Sequence, residues 1–233
     1  MNLSILYEDN HLLLVEKPVN IPVQADNSGD LDFLTMLKED IKVRYQKPGN
    51  VYLGLVHRLD RPVGGVMVFA KTSKAASRLS DMLRRRVIER NYLAVVHGKI
   101  DQKNGQLVHY LFKDKRKNHV YAVSKDHNQA KKAVLEYEVI DSKDNLSLLS
   151  VNLITGRPHQ IRVQLSTIGH PLYGDQKYGK HLNKVGQQIA LWAHSIHFEH
   201  PVKKEPLDLY SYPPNKDPWK LWDSILQQKV GTI

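Results

Sequence analysis

The sequence predicts an α+β protein with a mixed, mostly antiparallel central sheet flanked by helices and loops. Two observations support this prediction. Short segments with alternating or continuous apolar residues, typical of strands, outnumber segments with helical periodicity. These strand segments also do not alternate with helices, as they would in a parallel βαβ sheet.

Eight segments have the apolar pattern of strands. They cover 4–7, 12–16, 66–70, 91–97, 135–140, 146–153, 161–164 and 189–198. The most polar stretch, 101–128, is expected to form a hairpin with a basic tip at 113–119. Three helices are predicted at 31–44, 74–86 and 219–227, the first capped by Asp30 and the second by Thr72 or Ser73.

No linker or repeat divides the sequence, so we expect one catalytic domain over residues 1–233. Its tail from about residue 202 contains four prolines and is expected to wrap over the surface. Length supports this expectation, because 233 residues can bury a large core without disulfides or structural metals.

Charge and cysteine content narrow the class of function. The net charge is +10 and the pI is about 9.6, a balance that suits a polyanionic partner such as nucleic acid. The absence of cysteine excludes disulfides, thiolate metal sites and a cysteine nucleophile. No targeting segment or long apolar run is evident, so we expect a cytoplasmic protein that does not enter a membrane.

The segment 57–66, HRLDRPVGGV, concentrates ionisable groups just before an apolar strand. Asp60 stands between Arg58 and Arg61, and neighbouring positive charge favours the ionised carboxylate. An ionised aspartate suits a nucleophile or a base. A structural cluster of ion pairs explains the same residues equally well.

A second constellation, TGRPHQIR at 155–162, surrounds a turn that enters a predicted strand. Arg157 and His159 suit contacts to phosphate, and Arg162 suits pairing with a carboxylate. The following glycine- and tyrosine-rich loop, 169–179, is expected to line a cleft. The alternative is an ordinary basic turn followed by a loop.

A third candidate is Tyr92 on the predicted strand 91–97, which follows the arginine run 84–86. Its ring suits stacking on an RNA base or half-buried packing in the sheet. His194, His197 and His200 have a spacing that suggests metal binding on a helix. Because the segment is predicted to be a strand, His194 and His197 face opposite sides and we expect no metal there.

Together these segments resemble, in order, the motifs of the RluA-type pseudouridine synthase family. The resemblance runs over about residues 5–201. It comprises ILYEDNHLLLVEKPVNIPV (5–23) with its Lys17-Pro18 step, HRLDRPVGGVMVFAKT (57–72), RNYLAVVHG (90–98), TGRPHQIRVQLSTIGHPLYGDQKYG (155–179) and ALWAHSIHFEHP (190–201). Two departures, Val63-Gly64 and Pro158, leave Asp60, Tyr92 and Arg162 in place.

The resemblance implies the pseudouridine synthase fold and isomerisation of uridine to pseudouridine in RNA. It makes Asp60 the catalytic aspartate, with Tyr92 packing on the target base and taking part in deprotonation at C5. It pairs Arg162 with Asp60 and places Arg61 where the target base leaves the helix. Residues expected to bind substrate are His57, Arg58, Arg61, Arg157, His159, Gln160 and Ile161. No cofactor or metal is implied.

Many members of that family carry an S4-type RNA-binding domain before the catalytic domain. Here the first motif begins at residue 5, so we expect the catalytic domain alone, as a monomer, to recognise its RNA. The expected substrates are stem-loops of ribosomal or transfer RNA. The clusters 84–86 and 113–117 are candidate phosphate contacts.

Two other classes of protein remain open. A non-catalytic RNA-binding or ribosome-assembly factor with this fold would explain the charge and the aromatic strand. A base-excising glycosidase acting on nucleosides would release free uracil. The role of Asp60 also has three alternatives, which are attack on C1′, attack on C6 and removal of the C2′ proton.

Overall fold

A computed structural model of the chain describes residues 3–230, with side chains through residue 227. The chain divides into two compact units. The first comprises Met1–Arg90 with Ala193–Ser211, and the second comprises Asn91–Trp192 with Tyr212–Ile233.

Strands predominate over helices in the described residues, which confirms the α+β class. The strands are β1 (Ser4–Glu8), β2 (Leu12–Lys17), β3 (Gly54–Leu55), β4 (Gly64–Ala70), β5 (Glu89–His97), β6 (Asn104–Asp114), β7 (His119–Val123), β8 (Lys131–Lys143), β9 (Leu146–Leu153), β10 (Leu191–Glu199) and β11 (Pro206–Tyr210). The helices are α1 (Phe33–Arg44), α2 (Ser73–Arg85), α3 (Gln160–Thr167) and α4 (Asp223–Val230), the last preceded by a 3-10 turn, Trp219–Trp222.

The first unit is built on strands in the order β1-β2-β4-β10-β11, with the short β3 also pairing with β4. The pairs β1–β2, β2–β4 and β10–β11 are antiparallel. Helix α1 buries Phe33, Leu37 and Ile41, which recur every four residues and therefore form one face. The ring of Phe33 packs edge-on against Phe69 of β4, with centroids 6.2 Å apart.

The second unit has the strand order β5-β9-β8-β6-β7, and each of these pairings is antiparallel. The predicted hairpin is confirmed as β6 and β7. Its residues Leu111 and Val120 are buried together with Ala133 of β8 and Val163 of α3. The helix α3 therefore packs against the hairpin through apolar side chains.

Three sequence predictions need correction. Residues 161–164 were predicted to be a strand but lie within α3. The N-cap of α1 is Asp32, whose carboxylate accepts the Thr35 N–H at 3.0 Å, and Asp30 lies outside the helix. The predicted helix 219–227 is divided into the 3-10 turn and α4.

Within the tail, residues 206–210 form β11 and pair with β10, so this part of the tail extends a sheet. The N-cap of α2 is Thr72, as predicted. Among the helices of the described part of the chain, none combines the length and apolar character that a bilayer span requires.

Candidate active site

Asp60 lies in the turn that leads into β4. The Val63 N–H donates to the Asp60 carbonyl at 2.9 Å and closes the turn. Leu59 is buried beside it, whereas Arg58 is exposed. The turn therefore has one residue anchored in the core and a half-buried carboxylate next to it.

Lys17, at the end of β2, holds this turn from inside the unit. Its side chain is fully buried, and its Nζ donates to the carbonyl oxygens of Pro18 at 2.8 Å, Arg61 at 3.1 Å and Val63 at 2.8 Å. Burial lowers the pKa of Lys17 to about 7, the charge of Asp60 acts in the opposite direction, and the charge of Arg61 adds to the lowering. Three carbonyl oxygens surround Nζ, so the buried lysine fixes the backbone on the C-terminal side of Asp60.

His57, at the start of the same segment, is tied to β4. Its Nε2 accepts the Val68 N–H at 3.1 Å. Burial lowers the pKa of His57 to about 3, with the positive charge of Arg90 as a second cause. His57 is therefore neutral near pH 7, and its observed contact positions the turn. Its predicted contact with substrate stays a prediction.

The side chain of Arg61 is 42% exposed and held by the 20–30 loop. Its Nε donates to the Asn20 carbonyl at 3.2 Å, its Nη1 donates to Ser28 Oγ at 3.1 Å, and its Nη2 pairs with Asp30. Insertion of Arg61 into RNA stays a prediction and requires exchange of these surface contacts for RNA groups.

Tyr92 lies on β5 in the second unit, opposite Val151 of β9. It is only 7% exposed, so most of its ring is packed within the protein. Of the two alternatives that the sequence left open for Tyr92, packing in the sheet accounts for most of its side chain. Stacking on a base stays a prediction.

Gln160 organises the start of α3. Its Oε1 accepts the Thr155 hydroxyl at 2.8 Å and the Arg157 N–H at 2.9 Å, and its Nε2 donates to the Val134 carbonyl at 3.0 Å. Ile161 is buried in the helix. Arg157 donates from Nε to the Lys132 carbonyl at 3.0 Å. Gln160 and Ile161 are both part of the local structure. Their predicted contacts with substrate stay predictions.

Arg162 forms a bidentate ion pair with Asp175. The Nε–Oδ2 and Nη2–Oδ1 distances are both 2.8 Å, and the carboxylate side chain is 0% exposed. Burial alone would raise the pKa of Asp175, but hydrogen bonds and charge from Arg162 lower it below its usual value. The sequence prediction that Arg162 pairs with a carboxylate is confirmed for Asp175, while pairing with Asp60 stays a prediction.

Tyr178 links α3 to the hairpin. Its hydroxyl accepts the Val120 N–H at 2.9 Å and lies 2.6 Å from His159 Nδ1. The Arg162 guanidinium lies 5.2 Å from the centre of the same tyrosine ring. Tyr178 therefore contacts two predicted site residues, His159 and Arg162.

The predicted catalytic residues are divided between the two units, with Asp60 in the first and Tyr92 and Arg162 in the second. The three histidines considered for a metal have separate partners. His194 Nδ1 lies 2.9 Å from the Ser211 carbonyl, His197 pairs with Asp208, and His200 Nδ1 accepts the Lys203 N–H at 2.9 Å. The described residues contain no cluster of three metal-ligating side chains.

Comparison with known proteins decides the family. Residues 11–167 match the family described as RNA pseudouridylate synthase, a range that contains Asp60, Tyr92 and Arg162. The chain belongs to the RNA pseudouridylate synthase family. The resemblance inferred from the sequence motifs is thereby confirmed.

Individual relatives of this family support the assignment. The uncharacterized RNA pseudouridine synthase YhcT of Bacillus subtilis is 36% identical over 87% of this chain and 66% of its own length. The ribosomal large subunit pseudouridine synthase C of Haemophilus ducreyi is 33% identical over 87% of this chain and 63% of its own length. The chain thus spans slightly less than two thirds of either relative.

A solved structure of the same family shares the fold. It is the human RNA pseudouridylate synthase domain containing 4, with a TM-score of 0.75 and 25% identity. The match covers 91% of this chain and 88% of the human one.

The sequence motifs did not reveal the contacts of three residues that are important to the site. Lys17 was part of the quoted opening motif, but its three carbonyl acceptors bring together residues up to 46 positions apart. Asp175 and Tyr178 lie in the loop 169–179, which was expected only to line a cleft. The one signal in the sequence was Asp175 itself. It is the single acidic residue of that loop, and it follows Arg162, which was predicted to pair with a carboxylate.

Proposed function

We propose that this protein is an RNA pseudouridine synthase that isomerises uridine to pseudouridine in ribosomal RNA, transfer RNA or both. The observation that carries the proposal is the family match over residues 11–167, which includes all three predicted catalytic residues. The net charge of +10 supports a polyanionic substrate over a free nucleoside. The cysteine-free sequence suits the cytoplasm, where we place this activity.

The reaction needs a carboxylate beside the target nucleotide and no external reagent. It breaks the C1′–N1 bond, turns the uracil and joins C5 to C1′, while N1 gains a proton and C5 loses one. In this proposal the ionised Asp60 attacks C1′, attacks C6 or removes the C2′ proton. Because the uracil must turn, the target nucleotide leaves the base stack before the bond is broken.

Arg162 and Tyr92 have supporting roles in the proposed reaction. In this proposal Arg162 pairs with the catalytic carboxylate of Asp60, as a guanidinium group does with a carboxylate. Tyr92 packs against the uracil during its turn.

The experiment that tests this function is tritium release from transcripts labelled at C5 of uridine. Large-subunit ribosomal RNA is the first transcript to use, because the relative from Haemophilus ducreyi is named for that substrate. Transfer RNA and isolated stem-loops follow. We expect tritium release without free uracil. Tight binding without release from any of these RNAs would contradict the proposal, and release of uracil would favour a glycosidase.

A further inference from the structure

The two faces of the β6–β7 hairpin have different environments. Leu111 and Val120 point to one face and are buried with Ala133 and Val163 of the same unit. Phe112 and Tyr121 are paired across the strands and therefore share the opposite face. His119 lies two residues before Tyr121 and projects to the same side.

The second face carries a group of aromatic rings. Phe112 and His127 have centroids 4.6 Å apart, and His119 and Tyr121 have centroids 4.5 Å apart. His119 also stacks on Tyr178 at 4.6 Å with an interplanar angle of 27°. Tyr121 is 39% exposed, and its ring meets His119 edge-on with an interplanar angle of 65°. We call Phe112, His119, Tyr121 and His127 the aromatic hairpin face.

The segment that contains this face is rich in basic residues. Residues 113–132 contain seven lysines and arginines but only two aspartates. One of them, Asp114, is used within the turn, because its Oδ1 accepts the N–H groups of Arg116 at 2.9 Å and Lys117 at 3.1 Å. Lys177 adds a further cation at the tip by donating to the Asn118 carbonyl at 2.8 Å.

The hairpin tip differs from the other basic cluster of the chain. At the end of α2, Arg84 and Arg85 both pair with Asp81 and are partly neutralised. In the part of the chain that the structure describes, Lys115, Arg116 and Lys117 form no ion pair. The positive charge of the hairpin is therefore the more available of the two for a polyanion.

We propose that the aromatic hairpin face binds unpaired nucleotides of an RNA strand, with bases stacked at Tyr121 and phosphates held by Lys115, Arg116 and Lys117. This surface rests on the proposed function for its RNA partner, but it adds a site outside the catalytic residues. Exposed rings recognise bases whose faces are free, and a duplex hides those faces. Rings beside cations thus favour single-stranded RNA over a duplex.

The neutral state of His119 supports stacking at this face. Burial lowers the pKa of His119, and the positive charge of Lys177 lowers it further. An uncharged imidazole between Tyr178 and Tyr121 completes a continuous set of rings. A base placed on the exposed face of Tyr121 adds one stacking contact to this group of rings.

The test compares binding of a 12-nucleotide oligouridylate with binding of a 12-base-pair RNA duplex, by fluorescence anisotropy over a salt series. Tyr121→Ala is the main variant, and Tyr121→Phe keeps the ring but removes the hydroxyl. Tyr52→Ala is the matched control, because Tyr52 is also exposed but lies in the first unit.

Tyr121→Ala is expected to weaken binding of the oligouridylate about 5- to 10-fold, as loss of one exposed stacking contact does. Duplex binding changes less than about 2-fold, and the salt slope stays the same. Tyr121→Phe and Tyr52→Ala bind as the wild type does. Replacing Lys115, Arg116 and Lys117 with serine lowers the slope for the single strand by roughly 0.7 per lost phosphate contact.

The proposed RNA binding at this surface would be contradicted if Tyr121→Ala bound the oligouridylate as the wild type does. It would also be contradicted if the variant lost as much affinity for the duplex as for the single strand. Polyglutamate binding that depends equally on Tyr121 would also overturn it, in favour of an acidic protein partner. Tritium release is measured separately on the same proteins. If the wild type releases no tritium but Tyr121 still determines oligouridylate binding, the proposed function fails and the surface stands.

Discussion

The buried pair of Arg162 and Asp175 explains how a charged side chain is held in the core of the second unit. The arginine is 8% exposed and the aspartate is 0% exposed, so each depends on the other for compensation of its charge. Removal of one partner takes away the main compensation of the other buried charge, which is costlier than removal of both.

Asp175→Ala is therefore expected to lower the free energy of unfolding by about 3–5 kcal/mol. The double variant Asp175→Ala with Arg162→Met should lose less than the sum of the two single variants. Urea denaturation of the wild type, both single variants and the double variant measures this coupling. Additive losses would contradict the interdependence of the two charges.

Lys17 provides a pH-dependent contribution to stability. Burial lowers the pKa of Lys17 to about 7 in the folded protein, against an ordinary value of 10.5. Between these two pH values the unfolded chain binds a proton that the folded protein has released. Stability from this group therefore rises as pH increases from about 7 to 10, by up to about 1.4 kcal/mol per pH unit.

The variant Lys17→Met lacks this proton and should not show the rise. We expect the difference in unfolding free energy between wild type and variant to increase from pH 7 to pH 10 in urea titrations. Groups shared by both proteins cancel in that difference. Lys42→Met, at an exposed position, controls for loss of one positive charge. A difference that is constant over this range would show that Lys17 keeps an ordinary pKa.

Short-range sequence patterns identified the candidate residues but not their partners. Asp60, Tyr92 and Arg162 were found because each stands in a recognisable local motif. The carbonyls that Lys17 binds and the carboxylate that Arg162 binds lie elsewhere along the chain. Such pairings depend on the folded path of the backbone, which local composition does not specify.

Helix α3 shows where periodicity fails for a whole element. Residues 161–164 alternate apolar and polar side chains, which is typical of a strand. In the structure Gln160 through Leu165 are all buried. The alternation of apolar and polar residues therefore does not distinguish a buried face from an exposed one. The polar members are instead satisfied inside the protein, as Arg162 is by Asp175. By contrast, α1 and α2 were predicted well because the apolar residues of each recur on one face.

The strand β4 depends on glycine for its approach to β10. Gly65 has φ of +115°, and a Cβ added there would lie 2.7 Å from the Ala193 backbone nitrogen. Both the conformation and the contact with a backbone exclude a side chain. Because β4 follows the Asp60 turn directly, this close packing also fixes the end of that turn.

Gly65→Ala should therefore destabilise the protein by about 3 kcal/mol or more. Gly49→Ala is the matched control, because a Cβ at Gly49 meets no atom within 4 Å, and it should change stability by less than about 0.5 kcal/mol. Thermal and urea unfolding of both variants measure the effect. Equal stability of the two variants would rule out the steric role of Gly65.

Across the full chain, the family match and the motif order lead to the same conclusion from different information. The sequence resemblance covers about residues 5–201, and the family match covers residues 11–167. The α+β class also follows from the strand content. The division into two compact units was not evident, because no linker composition marks their boundaries at Arg90 and Ala193.

The central claim is that Asp60 performs the chemistry of uridine isomerisation. Its most direct test is tritium release by wild type and Asp60→Asn on the same C5-labelled RNA, with Asp101→Asn as an exposed control. Binding of that RNA and the unfolding midpoint are measured in parallel. We predict that Asp60→Asn folds and binds RNA within about 3-fold of wild type but releases no tritium. Release by Asp60→Asn at the wild-type rate would contradict this account.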